Sequence, residues 1–110
     1  MIELEKKMRP EGLEETIEES FQTVYAKNLF TSSNGDLIFT ADKVYFFCAP
    51  ENGFIKIKPW CINISEIAEN KKYGLAGYSI ILAGGKKLKF QNVGKKLREG
   101  IDAAIAARKK

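Results

Sequence analysis

The stretch Gly35-Asp-Leu-Ile-Phe-Thr-Ala-Asp-Lys-Val-Tyr-Phe-Phe-Cys48 decides the fold, because two apolar runs flank a short polar turn. It predicts a β-hairpin with strands at residues 37–41 and 44–48 around Asp42 and Lys43. Both strands carry apolar residues on both faces, so each face of the hairpin requires a cover. The later stretch Ile64-Ser-Glu-Ile67 predicts a tight corner. Together these segments predict a small β-rich domain with one core.

The remaining strands follow from shorter patterns. β-branched and aromatic residues predict a first strand over residues 22–30, with Ser32-Ser-Asn-Gly35 as the turn that follows it. A turn at residues 50–53 precedes a strand over residues 54–60, which ends at Pro59 or lies at an edge because proline has no backbone N–H. Alternation gives this strand two faces, one with Ile55 and Ile57 and the other with Phe54, Lys56, Lys58 and Trp60.

The register of the last hairpin depends on the length of its loop. A two-residue glycine turn would place apolar side chains opposite lysines. A three-residue loop at residues 83–85 instead aligns Tyr78 with Phe90 and Ile80 with Leu88, so apolar side chains lie opposite each other. It also puts Gly85 where a left-handed residue is favoured. We therefore predict the three-residue loop.

Two helices are expected, one at each end of about seven strands. Pro10, acidic residues in the first turn and apolar residues every fourth position predict a short helix over residues 10–21. After Asn92 the apolar period changes to that of an amphipathic C-terminal helix, whose last turn is rich in cations. Its stripe consists of Val93, Leu97, Ile101, Ala104, Ile105 and Arg108.

Composition bounds the function. The 110 residues are enough for one domain, and the net charge of +4 combines an acidic lead-in at residues 1–20, which carries seven acids and three bases, with a basic remainder of charge +8. No apolar run is long enough to span a membrane, and the N-terminus lacks the apolar region of a signal peptide, so we expect a cytoplasmic protein. Cys48 and Cys61 lack a redox spacing and predict two buried thiols, with a disulfide as the alternative.

No residue pattern indicates catalysis. The chain has no histidine, the commonest general base and metal ligand, and no serine in a nucleophile-elbow context. The acids between Glu3 and Glu19 match no known metal-binding loop, and a solvated face explains them better. Gly84-Gly85-Lys86 lacks the strand–loop–helix context of a phosphate loop and predicts a hairpin turn. We expect no enzyme, no metal and no cofactor.

Three motifs resemble those of GRAM domains. The stretch from Gly35 through Phe47 resembles the glycine-led strand, polar turn and aromatic strand of that family. Residues 64–67 resemble its aliphatic-Ser-acid-Ile corner, and Gly85-Lys-Lys-Leu-Lys-Phe90 resembles its Gly-Lys-Lys-x-x-Phe hairpin. The C-terminal amphipathic helix falls at the corresponding place. The resemblance covers roughly residues 20–108 and identifies residues 21–110 as the GRAM-like domain, after the lead-in at residues 1–20.

The resemblance implies a fold and a class of function. GRAM domains belong to the pleckstrin-homology superfold, a partly open barrel of about seven antiparallel strands capped by a C-terminal helix. They are non-catalytic and bind membrane lipids or proteins. Many pleckstrin-homology domains hold phosphoinositides with bases on the first two strands and their loop. This chain has Thr31-Ser-Ser-Asn34 there, with only Lys27 nearby, so the resemblance implies that this site is absent.

The basic residues are the candidate surface for a ligand or partner. Two interpretations are open. The basic residues bind an anionic partner together, or they are solvated side chains on the outer faces of strands. About four lysines contribute roughly 1 kcal/mol each at an acidic leaflet, which alone gives millimolar affinity. Membrane targeting would also need a headgroup pocket, an inserted apolar group or avidity. The candidate set is Lys56, Lys58, Trp60, Lys71, Lys72, Lys86, Lys87 and Lys89.

These observations favour a binding module that acts through protein contacts. A symmetric homodimer is one form of this prediction, because the central hairpin is apolar on both faces and a partly open sheet leaves edges to cover. The alternative is peripheral binding to anionic membrane lipids through the lysines. Trp60 either anchors a partner or packs against the sheet. Nucleic acid is not expected, because exposed aromatic side chains do not alternate with the bases.

Overall fold

The computed structural model describes residues 1–5, 8–48 and 57–109. Over these residues the chain forms eight strands, two single turns of 3-10 helix and one α-helix. The strands are β1 (Ile2–Glu3), β2 (Glu19–Ala26), β3 (Ser32–Phe39), β4 (Lys43–Cys48), β5 (Trp60–Asn63), β6 (Ile67–Tyr73), β7 (Gly77–Leu82) and β8 (Lys87–Gln91). The 3-10 turns are Pro10–Gly12 and Ile64–Glu66, and the helix α1 is Lys95–Arg108.

The strands form one antiparallel sheet in the order β1-β5-β4-β3-β2-β8-β7-β6. Strand β2 joins its two halves, because it pairs along its whole length with β3 and through residues 24–26 with β8. The inner faces of both halves enclose one apolar core, which includes an aromatic cluster of Tyr25, Phe46, Trp60 and Phe90. The predicted mainly-β fold with a C-terminal helix is confirmed.

The central hairpin is confirmed, and the chain itself covers its outer face. Strand β3 pairs with β4 around a turn at residues 41–42, one residue earlier than predicted. Four outward side chains of β3, β4 and β5 form a second apolar cluster, namely Ile38, Tyr45, Phe47 and Cys61. Leu4, Met8 and Leu13 of the N-terminal segment pack on this cluster. Glu15 accepts hydrogen bonds from Lys43 Nζ at 2.8 Å and from the Tyr45 hydroxyl at 3.0 Å.

The predicted helix over residues 10–21 is wrong except for one 3-10 turn. Gly12 is unfavourable inside a helix, and a helix of this length is marginal in water without packing. The second half of the predicted helix pairs with β3 instead. Strand β2 begins at Glu19, and the Glu18 N–H donates to the Phe39 carbonyl at 2.9 Å. Phe21 in β2 packs against the core, and Leu13, which precedes β2, packs against the second cluster.

The turn predicted at residues 32–35 is also wrong. These residues begin β3, and the chain reverses at residues 27–31 instead. Gly35 serves close packing rather than a turn, because a Cβ there would collide with the Phe47 carbonyl and the Phe46 ring. Turn-forming residue types therefore indicated the region of the reversal but not its position.

The last hairpin and the C-terminal helix match the prediction. Tyr78 lies opposite Phe90, the Leu82 N–H donates to the Lys86 carbonyl at 2.8 Å, and Gly85 has φ +92°. The stripe of α1 packs into the core, with Ile101, Ala104 and Ile105 fully buried. A polar contact fixes the helix against the sheet, since the Tyr78 hydroxyl donates to Asp102 Oδ1 at 2.5 Å.

The predicted placement of Trp60 beside Lys58 is wrong. Ile57 is buried and Lys58 is exposed, as alternation requires, but Pro59 and Trp60 are both buried. Strand β5 starts only at Trp60, so the extended alternation does not continue through Pro59. Trp60 is 1% exposed and belongs to the main core. It therefore packs in the sheet and is not a surface anchor.

Candidate anion-binding site

Two loops of the sheet and the segment that leads into β5 meet at one end of the molecule. Ala26 at the end of β2 lies opposite Ser32 at the start of β3 and opposite Lys89 in the middle of β8. Because the strands are antiparallel, the β2–β3 loop and the β7–β8 loop project in the same direction. Residues 57–60, which lead into β5, reach the same place. We call this region the open end, defined by residues 27–31, 57–60 and 83–87.

A cavity of about 170 Å³ lies at the open end. Its apolar lining is Tyr25, Ile57 and Trp60, which belong to the core. Four lysines complete it, and Met1 and Glu3 of the N-terminal segment lie at one side. The lysines are Lys27, Lys58, Lys86 and Lys87. Within the described residues none of them has a carboxylate within 4 Å, so their charges are available to a ligand.

Two hydrogen-bonding groups of the cavity lining add to its chemistry. The indole N–H of Trp60 is buried and has no hydrogen-bond partner among the described residues. Such a donor is costly to leave unsatisfied, and an indole nitrogen can only donate. Burial raises the pKa of Tyr25, and the negative charge of Glu3 raises it further, so its hydroxyl stays protonated. Both groups are hydrogen-bond donors, and they belong to two residues of the cavity lining.

An exposed apolar loop lies beside this cavity. Leu29 and Phe30 at the tip of the β2–β3 loop are 94% and 95% exposed. Backbone hydrogen bonds hold this tip, since the Lys27 N–H donates to Thr31 O and the Phe30 N–H donates to Asn28 Oδ1, each at 2.9 Å. Adjacent apolar side chains held in water at a loop tip indicate an interaction site. The loop starts at Lys27, which also lines the cavity.

The structure divides the candidate residues predicted from the sequence. Lys58, Lys86, Lys87 and Trp60 line the cavity together. Strand register places the rest of the described candidates elsewhere. Lys71 and Lys89 are on the outer face of β6–β8, and Lys72 is on the opposite face of the same sheet because it pairs with buried Tyr78. Lys56 lies outside the described residues.

The candidate set predicted from the sequence lacked five residues of the cavity and of the loop tip beside it: Glu3, Tyr25, Lys27, Leu29 and Phe30. The absence of a phosphoinositide site made by the first two strands and their loop stays a prediction; the further lysines of the cavity come from the β7–β8 loop and from residues 57–60. Residues 29 and 30 were predicted inside a strand, where an apolar pair needs no explanation. A polar Asn28 and Thr31 on either side were the available signal for a loop.

A larger groove of about 660 Å³ at the other end is a weaker candidate. It runs between the β3–β4 turn, the corner at Ile64–Glu66 and the end of α1. Its main charged group, Arg108, is already held by Glu18 at 2.7 Å, by Glu19 at 2.8 Å and by the Thr40 carbonyl. Arg108 therefore ties the N-terminal segment to α1 and is not free for a ligand.

Other sites are not evident in the described part of the chain. It contains no group of three or more cysteine, aspartate or glutamate residues arranged to hold a metal ion. None of its helices has the length and apolar character needed to cross a membrane. Cys48 and Cys61 are free thiols, and burial raises the pKa of both.

Comparison with known proteins shows the fold. No family model matches the chain, and no curated protein matches it in sequence. Among solved structures, the C-terminal domain of an unknown protein from Leishmania infantum is similar, with a TM-score of 0.69, 15% identity, and 86% of this chain and 84% of that chain covered.

Two pleckstrin-homology domains are similar in the same way. The N-terminal domain of human ARAP2 has a TM-score of 0.64 at 10% identity, with 91% of this chain and 84% of that chain covered. The Slm1 domain, solved in complex with inositol-4-phosphate, has a TM-score of 0.62 at 13% identity, with 86% and 98% covered. The chain therefore has a pleckstrin-homology-like fold.

Proposed function

We propose that the chain is a non-catalytic binding module that attaches peripherally to acidic membrane lipids through its open end. The observation that carries the proposal is the juxtaposition of a cavity lined by four lysines with a loop tip that exposes Leu29 and Phe30. A lysine-lined cavity alone would suit any small anion. An exposed apolar pair beside it suits a partner that offers anionic groups and hydrocarbon at one surface.

The binding free energies expected for the four lysines and for the two apolar side chains are sufficient only when they are combined. Four lysines near an acidic leaflet contribute about 4 kcal/mol, which corresponds to millimolar binding. Burial of an exposed leucine or phenylalanine side chain adds roughly 1.5–3 kcal/mol for each. The total of about 7–10 kcal/mol corresponds to roughly micromolar binding or tighter. The structure thus supplies the pocket and the apolar group that the lysines alone would lack.

The chemistry of the cavity favours a phosphate group. The ammonium groups of the four lysines donate hydrogen bonds, and phosphate oxygens accept them. Glu3 is the one carboxylate of the described cavity lining, and it would oppose an anion. The Slm1 domain of similar fold was solved with inositol-4-phosphate, which supports a phosphorylated inositol headgroup as the first ligand to try.

The alternative is a protein adaptor. The sequence favours an adaptor because the central hairpin is apolar on both faces, so that its outer face requires a cover. Leu4, Met8 and Leu13 of the same chain supply that cover. A homodimer stays a prediction. The kinship with GRAM domains also stays a prediction, supported by the motifs at residues 35–47, 64–67 and 85–90.

Vesicle co-sedimentation tests the proposal. We expect the protein to sediment with phosphatidylcholine vesicles that contain phosphatidylserine or a phosphorylated phosphatidylinositol, and to stay in solution with phosphatidylcholine alone. The double variant Lys27→Gln, Lys58→Gln should bind the acidic vesicles about 30-fold more weakly, at about 1 kcal/mol for each lysine. The matched control is Lys95→Gln, Lys96→Gln, two exposed lysines at the start of α1. Failure of the unaltered protein to sediment at micromolar concentration would refute the proposal.

A further inference from the structure

We propose that the outer face of β6–β8 is a second anion-binding surface, which lies along the acidic leaflet and sets the orientation of the bound domain. This inference rests on the proposed function, and apart from Lys87 it concerns residues outside the cavity lining. The outer strip is defined as Lys71, Lys87 and Lys89; Ser79, which lies between Lys71 and Lys89, is only 5% exposed. Only Lys87 belongs to both the outer strip and the cavity.

Strand register builds the outer strip. Lys71 lies opposite Ser79, Ser79 lies opposite Lys89, and Lys89 lies opposite Ala26, so one row crosses four strands on one face. Two strand spacings separate Lys71 from Lys89, which is about 10 Å. Lys87 projects from the same face two residues closer to the open end. Three ammonium groups therefore share one face of a rigid sheet.

The outer strip is continuous with the exposed apolar loop. Ala26, which ends the row, is the last residue of β2, and the loop that carries Leu29 and Phe30 follows directly. A surface that inserts this tip into a leaflet can therefore bring the row close to the headgroups without any change in the fold. No hinge separates the two within the described residues, because β2 is hydrogen-bonded to both β3 and β8.

The charges of the outer strip are largely uncompensated. Glu69 is 3.7 Å from Lys71 Nζ, in a pair whose two side chains are each more than half exposed, so it screens only that lysine weakly. Among the described residues Lys87 and Lys89 have no carboxylate within 4 Å. Lys89 Nζ lies 5.8 Å from the centre of the Tyr73 ring, which holds its side chain over the sheet.

The outer face of β3–β5 is covered by a segment of net negative charge. Residues 1–20 carry seven acids and three bases, and Glu15, Glu18 and Glu19 among these acids are paired with Lys43 or Arg108. Because both halves of the sheet enclose one core, their outer faces point in different directions. An acidic leaflet attracts the lysine-bearing face and repels the glutamate-bearing segment. Both effects favour the same orientation, with the outer strip towards the lipid and the part of the N-terminal segment around Met8 and Leu13 away from it.

Paired variants test the orientation. We expect Lys71→Gln, Lys89→Gln to weaken binding to phosphatidylserine vesicles roughly 30-fold, at about fivefold per lysine. The control Lys72→Gln, Lys95→Gln removes the same charge from the other face of β6 and from the far end of the molecule. It should change binding less than threefold. Soluble inositol phosphate, followed by the fluorescence of Trp60, should bind the outer-strip variant and the unaltered protein equally.

Footprinting of the unaltered protein gives a second readout that needs no variant. Vesicles should protect Lys71 and Lys89 from amine acetylation and leave Lys72 and Lys95 reactive. Equal effects of both variant pairs, or equal protection of all four lysines, would overturn the second surface while the proposed function stands. Failure of the unaltered protein to bind acidic vesicles would instead remove the proposed function, and this inference with it.

Discussion

The apolar loop tip allows the sharpest test of membrane attachment. Leu29 and Phe30 are 94% and 95% exposed, so their replacement by serine removes almost no contact from the folded protein. We therefore expect the double variant Leu29→Ser, Phe30→Ser to unfold at the same temperature as the unaltered protein, within the scatter usual for surface substitutions. Any loss of binding then reports on the bound state alone.

The expected loss of binding follows from the buried area. Insertion of each side chain into the leaflet is worth roughly 1.5–3 kcal/mol, so the pair contributes at least about 3 kcal/mol. That corresponds to at least roughly 150-fold weaker binding to acidic vesicles. The assay is co-sedimentation at fixed protein and increasing lipid, which measures the partition coefficient directly.

A matched control separates insertion from a general effect of surface hydrophobicity. Leu75 in the β6–β7 turn is fully exposed like Leu29, but its turn lies at the end opposite the β7–β8 loop. We expect Leu75→Ser to leave binding unchanged. Equal binding by the loop-tip variant and the unaltered protein would refute insertion. Equal losses in both variants would show that the open end has no special role.

Three further predictions concern the cavity, the N-terminal cover and the helix. Glu3→Gln should strengthen binding of inositol phosphate two- to fivefold, because it removes the one carboxylate of the described cavity lining; unchanged affinity in a fluorescence titration would contradict this. The hydrogen bond from Lys43 lowers the pKa of Glu15 in the folded protein below the value of about 4.5 in the unfolded chain. The ionised carboxylate therefore stabilises the fold above about pH 4.5, and this contribution disappears as the pH falls through the pKa of the folded protein. Thermal unfolding should show Glu15→Gln less stable than the unaltered protein at neutral pH and similar to it near pH 3, and a constant difference would exclude the mechanism. Tyr78→Phe should lower the free energy of unfolding by about 1.5–3 kcal/mol, because it removes a buried hydrogen bond to Asp102, and urea denaturation with an unchanged midpoint would show that this contact contributes nothing.

Local patterns determined most of the secondary structure. Two apolar runs around a polar turn marked the central hairpin, and matching apolar residues across the last hairpin selected its three-residue loop and the left-handed Gly85. The stripe at Ile101, Ala104 and Ile105 marked the C-terminal helix. These signals are readable because each depends on residues close together in the chain, where backbone geometry alone decides which side chains share a face.

Local patterns failed where a distant segment competed. The acidic stretch at residues 10–21 has helical spacing, but pairing of β2 with β3 satisfies more backbone groups than a short helix in water would. Alternation along the predicted strand places Trp60 on the outer face of the sheet. Pro59 interrupts that strand, and the Trp60 ring packs in the aromatic cluster of the core. In both cases the deciding contacts join residues far apart in sequence.

The sequence by itself determined a β-rich domain with a helical end and an excess of lysine. Only the tertiary structure decided which lysines act together, because the pairing of β2 with β8 brings residue 27 beside residues 86 and 87, and the approach to β5 adds residue 58. The same pairing sets the exposed loop tip beside the cavity. A cavity and a charged face are properties of strands that are neighbours in space, and neighbours in space are chosen by the burial of one shared core.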